Sequence, residues 1–191
     1  LFPSVMKSCG NEAEMKAFFR NWEACARFGF PASDFDTPDA SNLLMFAVKK
    51  GRPDIVRFLI ENGEPVSVRE HADKMLLQTA LECRMTDDIT VLLVSRGAST
   101  DEKCANGNSV LIEAIRQGSV ETANRLVDLN AGIDSKSVPD GLTPLHLAVE
   151  KNYLSVIKNL MKFNADIYAK ESSNGDTALH LAAKKGNIDA V

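Results

Sequence analysis

Apolar residues along the chain come in short helical bursts, and the bursts themselves recur. Five segments, 44–48, 76–81, 111–115, 145–149 and 179–183, each open with leucine. Each carries one alanine in register, at Ala47, Ala80, Ala114, Ala148 and Ala182, spaced 33, 34, 34 and 34 residues apart. A fixed period of this size marks a stacked architecture, because a unit too small to bury its own apolar face buries it against a neighbour. Each burst therefore predicts a short first helix. Four residues past the alanine stands a stop, glycine at Gly51, Gly118 and Gly186, with Arg84 and Asn152 in the other two units.

A second helix is predicted after each complete turn. Its stripes are Ile55, Val56, Leu59 and Ile60; then Ile89, Leu92 and Leu93; then Val120, Ala123, Leu126 and Val127; then Leu154, Val156, Ile157, Leu160 and Met161. These recur at helical spacing. Gly63, Gly97, Asn130 and Asn164 follow them, residue types that tolerate the left-handed conformation at a helix end. The second unit is the least regular: Met75-Leu76-Leu77-Gln78 opens it, and one extra residue sits near Asp87-Asp88.

Thr143-Pro144-Leu145-His146-Leu147-Ala148 returns 34 residues later as Thr177-Ala178-Leu179-His180-Leu181-Ala182. Thr143 is placed to cap a helix and Pro144 to sit in its first turn, where a missing N–H costs nothing. These residues resemble the ankyrin repeat, whose first helix opens with T-P-L-H-x-A. A tetratricopeptide array shares the period, but it has a longer first helix with large aromatic and glycine positions that this chain lacks.

The resemblance implies an all-α ankyrin-repeat solenoid of stacked helix-turn-helix units with a degenerate N-terminal unit. It also implies that the rings of His146 and His180 hydrogen-bond locally and to a neighbouring loop. Residues 1–38 form the degenerate capping unit and loop. There Ser8-Cys9-Gly10-Asn11 aligns with Lys184-Lys185-Gly186-Asn187, and Met15, Phe18, Phe19 and Trp22 repeat the second-helix stripe. The remaining units span about 39–71, 72–105, 106–139, 140–173 and 174–191, the last incomplete. A solenoid stopping at Val191 is expected to leave Leu179, Leu181 and Ile188 uncovered; the expectation is that the parent protein continues or that the terminus is disordered or proteolysed.

Composition narrows the function more than it names one. The chain has 191 residues, 45% hydrophobic and 25% charged, which is ordinary globular usage. A net charge of −4 does not by itself imply a nucleic-acid binder, and no nucleic-acid partner is expected. No apolar run approaches the ~18 residues a membrane span needs. Cys9, Cys25, Cys83 and Cys104 show no C-x-x-C spacing, so the expectation is unpaired thiols in a reducing, cytoplasmic setting. No metal-ligand spacing, phosphate-cradling loop or nucleophile motif is present, so neither cofactor nor catalysis is expected. Asn106-Gly107 and Asn174-Gly175 read as turn dipeptides.

What remains is surface. By the resemblance, the two residues before each turn line a concave groove: Lys49-Lys50, Glu82-Cys83, Arg116-Gln117, Glu150-Lys151 and Lys184-Lys185. Six are basic and two acidic, a formal +4 on a chain of net −4, although helix C-termini favour cations in any case. Opposed potentials steer complementary partners, so an acidic peptide or protein is expected. Loop tips add Asp73-Lys74, Ala105-Asn106-Asn108, Pro139-Asp140-Leu142 and Ser173-Asn174-Asp176, with Leu142 as an exposed apolar anchor. The expected function is a protein–protein interaction module, monomeric by itself. The alternative is a regulatory or targeting segment of a larger enzyme, channel or bacterial effector.

Overall fold

A computed structural model describes residues 43–61, 66, 76–100 and 103–188. The degenerate N-terminal unit, Gly63 and the Asp73-Lys74 tip lie outside the described residues. Nine helices are present among them, and an isolated bridge between Lys103 and Ser109 is the one strand-like pairing recorded there. The chain falls into two compact units, one ending at Met85 and the other beginning at Thr86.

In the first unit, α1 (Leu43–Lys49) packs on α2 (Pro53–Glu61) and on α3 (Leu76–Glu82). In the second unit, α4 (Asp87–Ser95), α6 (Val120–Asp128) and α8 (Leu154–Lys162) form one layer, each against the next. The other layer holds α5 (Val110–Gln117), α7 (Pro144–Lys151) and α9 (Ala178–Lys185), again in sequence. Within a repeat the two layers meet where α5 packs on α6 and α7 on α8.

The alanine register is the core. Ala47 is 1% exposed, and Ala80, Ala114, Ala148 and Ala182 are fully buried. A side chain this small lets two short helices approach closely and costs no rotamer entropy. Large apolar groups fill the remaining space, among them Leu59, Leu76, Leu111 and Ile112.

The turn between paired helices has the same construction five times. Gly51, Arg84, Gly118, Asn152 and Gly186 all have positive φ, between 52° and 86°. Each such residue donates its N–H three residues back, and the next residue donates five back, as in Gly118 N to Ile115 O and Ser119 N to Ala114 O. Those two bonds satisfy carbonyls that a helix end otherwise leaves open. Arg84 adopts the conformation despite its Cβ, so the turn of the least regular unit is built like the others. The second helices close in the same way at Gly97, Asn130 and Asn164, as their sequence positions predict.

Counting from the left-handed residue explains which second-helix positions are buried. In α2 and α6 they lie four, five, eight and nine residues on: Ile55, Val56, Leu59 and Ile60, and Thr122, Ala123, Leu126 and Val127. In α4 the set moves on by one, to Ile89, Thr90, Leu93 and Val94. The extra residue seen in the sequence is the cause, since α4 starts three residues after Arg84 where other second helices start two after their turn. Leu92 is accordingly half-buried and Val94 takes its place in the stripe. Val120 and Leu154, at the first positions of their helices, are also half-buried, and Met161 is 47% exposed.

The displaced start of α4 has a use. Asp87, its first residue, reaches across to the N-terminus of α6, where Ser119 makes no side-chain cap. One carboxylate oxygen accepts the Thr122 N–H at 3.3 Å and the Thr122 hydroxyl at 2.6 Å; the other accepts the Glu121 N–H at 3.1 Å. A helix N-terminus welcomes an anion, because its first N–H groups lack partners and its dipole is positive there. The buried hydroxyls of Thr122 and Thr90 are hydrogen-bonded to each other. Asp87→Ala leaves these donors unsatisfied and is expected to lower stability by about 1–2 kcal/mol, the range for a lost helix cap. Urea unfolding measures it; an unchanged midpoint would show that the carboxylate contributes nothing.

Candidate interaction surface

Thr143 and His146 build the entrance to α7. The Thr143 hydroxyl lies 2.7 Å from His146 Nδ1, and the Thr143 N–H donates to the same nitrogen at 3.3 Å. Since a backbone N–H can only donate, Nδ1 accepts and Nε2 carries the proton. Nε2 donates to the Asp176 carbonyl at 3.1 Å, in the loop of the next repeat. His180 repeats the local part of this arrangement with Thr177. The ring is thus a spacer between repeats, as the resemblance implies.

The loop tips stand on buried bases at equivalent positions. Cys104 N donates to Asn108 O, Ser137 N to Leu142 O and Glu171 N to Asp176 O. All three base residues are buried. Leu142 is therefore half-buried, not the exposed anchor that the sequence suggests: its N–H bonds the Ser137 hydroxyl and its carbonyl closes the turn. Glu171 has no counterpart in the sequence reading. Its carboxylate accepts the N–H groups of Asn174 at 2.5 Å, Ser173 at 2.6 Å and Asp176 at 3.4 Å. Those donors hold its pKa down, from an ordinary 4.5 to about 2. The 34-residue offset from Ser137, another side chain that accepts an N–H from its own loop, is the signal that could have found it.

The groove residues divide between the two units. In the first, Lys49 and Lys50 are exposed at the end of α1, with the Lys50 ammonium 5.2 Å above the Phe46 ring, and Glu82 and Cys83 are exposed at the end of α3. In the second, the C-terminal ends of α5, α7 and α9 carry the others side by side. Arg116 pairs with the tip carboxylate of Asp140 at 3.2 Å. Lys185 reaches back one repeat to Glu150, 3.4 Å to its carboxylate and 3.3 Å to its carbonyl. Lys184 pairs with Asp176. Gln117 donates to Glu113 at 2.7 Å. Lys151 and Asn174 are exposed.

These pairs change the electrostatics. Among the second unit's candidate residues, four cations (Arg116, Lys151, Lys184, Lys185) meet three carboxylates (Asp140, Glu150, Asp176). The stripe is a lattice of compensated charge rather than a basic ribbon. The Arg116–Asp140 and Lys185–Glu150 pairs are part-exposed on both sides and contribute between nothing and about 1 kcal/mol each, whereas the Asp176 carboxylate is mostly buried beside Lys184.

An open apolar hollow of about 560 Å³ lies beside the last repeat, lined by Leu145, Val149, Ile157, Met161, Ile167 and Leu179 among others. Tyr168 on its rim is 79% exposed and Leu179 55%. Ile188 is 86% exposed and Leu181 half-buried, so two of the three residues expected to be uncovered are so. Among the described residues, no three His, Cys, Asp or Glu side chains are grouped to hold a metal ion, and no helix is long and apolar enough to cross a membrane.

The family described as ankyrin repeats (three copies) matches residues 44–137, 76–171 and 111–191. An ankyrin repeat protein of fowlpox virus (strain NVSL) is 28% identical over 116 residues, covering 60% of this chain and 34% of that protein. The chain thus spans about a third of that relative's length.

Because the folded-state pKa of Glu171 is depressed, its contribution to stability is complete above about 4.5 and is lost as the pH falls toward about 2. Glu171→Gln is expected to flatten the acid limb of the stability–pH curve across that window and to leave its neutral limb parallel to the parent's. Thermal melts at stepped pH read this directly; identical acid limbs would mean that the carboxylate does not hold the tip.

Proposed function

Since the chain belongs to the ankyrin repeat family, we propose that it is a monomeric protein-binding module working in the cytoplasm, with no catalysis of its own. Proteins of this family generally bind other proteins, and the surface carries the same emphasis. The single observation behind the reading is the row of helix ends and loop tips in the second unit. There Arg116, Asp140, Glu150, Lys151, Asp176, Lys184 and Lys185 form a polar surface tied from repeat to repeat. Rigid helices hold it, so a partner binds without ordering flexible loops first, which keeps the entropic cost low.

The partner proposed is a protein or peptide bearing carboxylates. Lys151 offers it an exposed cation, and it can displace Asp140, Glu150 or Asp176 from their present partners. Such exchange favours recognition of a pattern of charge over a simple excess of one sign. A second reading, a targeting segment of a larger protein, is favoured by the match covering only a third of the viral relative. The same surface serves both.

Changing Lys151 to Glu is expected to slow association with a partner captured from cell extract by about threefold at low salt. The deficit should shrink as salt screens it. Surface plasmon resonance across a salt series measures both; an association rate equal to the parent's at every salt would rule out the acidic partner.

A further inference from the structure

Two Asn-Gly dipeptides sit at equivalent loop tips, Asn106-Gly107 and Asn174-Gly175, and the sequence does not distinguish them. Both asparagines are exposed. Their hydrogen bonding differs at every atom that matters for one reaction. In that reaction the backbone nitrogen after an asparagine attacks the side-chain amide carbon. Glycine after the asparagine removes the Cβ that otherwise hinders the approach.

At the first tip all the participating groups are held. The Gly107 N–H, the prospective nucleophile, donates to Cys104 O at 2.8 Å. Asn106 Nδ2, the prospective leaving group, donates to Glu113 at 2.9 Å, and Asn106 Oδ1 accepts the Asn108 N–H at 3.1 Å. Turning the side chain toward Gly107 breaks these bonds. At the second tip the loop hangs instead from Glu171, which takes the N–H groups of Ser173, Asn174 and Asp176 and passes over that of Gly175. The Asn174 side chain makes no hydrogen bond to the described residues. Apart from its two chain neighbours, a Cβ added at Gly175 would meet nothing nearer than Lys170 Cδ at 4.0 Å, so no other segment crowds the glycine.

We propose that Asn174 is a site of spontaneous deamidation in the folded protein and that Asn106 is protected from it. The Gly175 nitrogen gives up its proton to solvent base and bonds to Asn174 Cγ. The Cγ–Nδ2 bond breaks, and the amino group takes a proton and leaves as ammonia. Water then opens the cyclic imide. Cleavage of the new Cγ–N bond gives aspartate; cleavage at the Asn174 main-chain carbonyl gives isoaspartate, with the backbone rerouted through Cγ. One water enters for each ammonia lost, and no oxidant or reductant is needed.

The product adds a carboxylate to a tip that already holds Asp176 and Glu171. The isoaspartate form also lengthens the backbone between Ser173 and Asp176, the stretch that supplies Glu171 with its donors and His146 with its acceptor. The link between the fourth and fifth repeats is thereby altered, and so is the charge presented beside Lys184.

The test is to age the folded protein in mildly alkaline buffer, digest it, and separate the asparagine, aspartate and isoaspartate peptides by chromatography and mass spectrometry. Conversion at Asn174 is expected to run several-fold ahead of Asn106. In urea the two sites should convert at similar rates, and Asn174→Gln should remove the fast component. Equal or faster conversion at Asn106 in the folded protein overturns the proposal, as does the same site ratio in the folded and unfolded chain or no conversion at Asn174.

Discussion

No repeat in this chain can bury its own apolar face, and that constraint organises everything else. A first helix of seven or eight residues and a second of nine present one stripe each. Such helices are too short to persist alone in water. They become stable when α7 is held between α5 and α9 and α6 between α4 and α8. The fully buried alanines set the spacing of the first-helix layer, and the left-handed turns bring each second helix back against it.

Polar groups then fix the register. Bonds that span roughly one repeat recur through the second unit: Asp87 to Thr122, His146 to Asp176, Asn187 to Val149 and Asn159 to Asn124. Several involve buried or half-buried atoms, for which a missing partner costs more than the bond itself contributes. Slipping one repeat against the next would orphan several at once. Apolar burial supplies the attraction between repeats, and these bonds select a single alignment.

Much of this was legible in the chain because it is local. A buried alanine and a left-handed residue five times over leave marks at fixed spacing, and the ankyrin register follows from them. The Arg84 turn is harder to read, since no residue type there announces positive φ; only its bonds to Leu81 and Ala80 show that it closes like the others. Asp87 looked like an irregularity because its partner lies 35 residues on, in another helix. The groove charges are legible only in part for the same reason. Lys184, Lys185 and Arg116 are basic in the sequence, but Asp176, Glu150 and Asp140 meet them only after folding. Leu142 is half-buried because its loop closes on Ser137, a contact that its position in the chain does not show.

A binding surface built on such a lattice inherits its rigidity from the stacking behind it. The most direct test of that dependence is native-state hydrogen exchange on Ala148→Leu, which overfills the contact of α7 with α5 and α9. If each repeat is stable only through its neighbours, amide protection falls in α5 and α9 together with α7. Loss confined to α7, with α5 and α9 protected as before, would contradict the account.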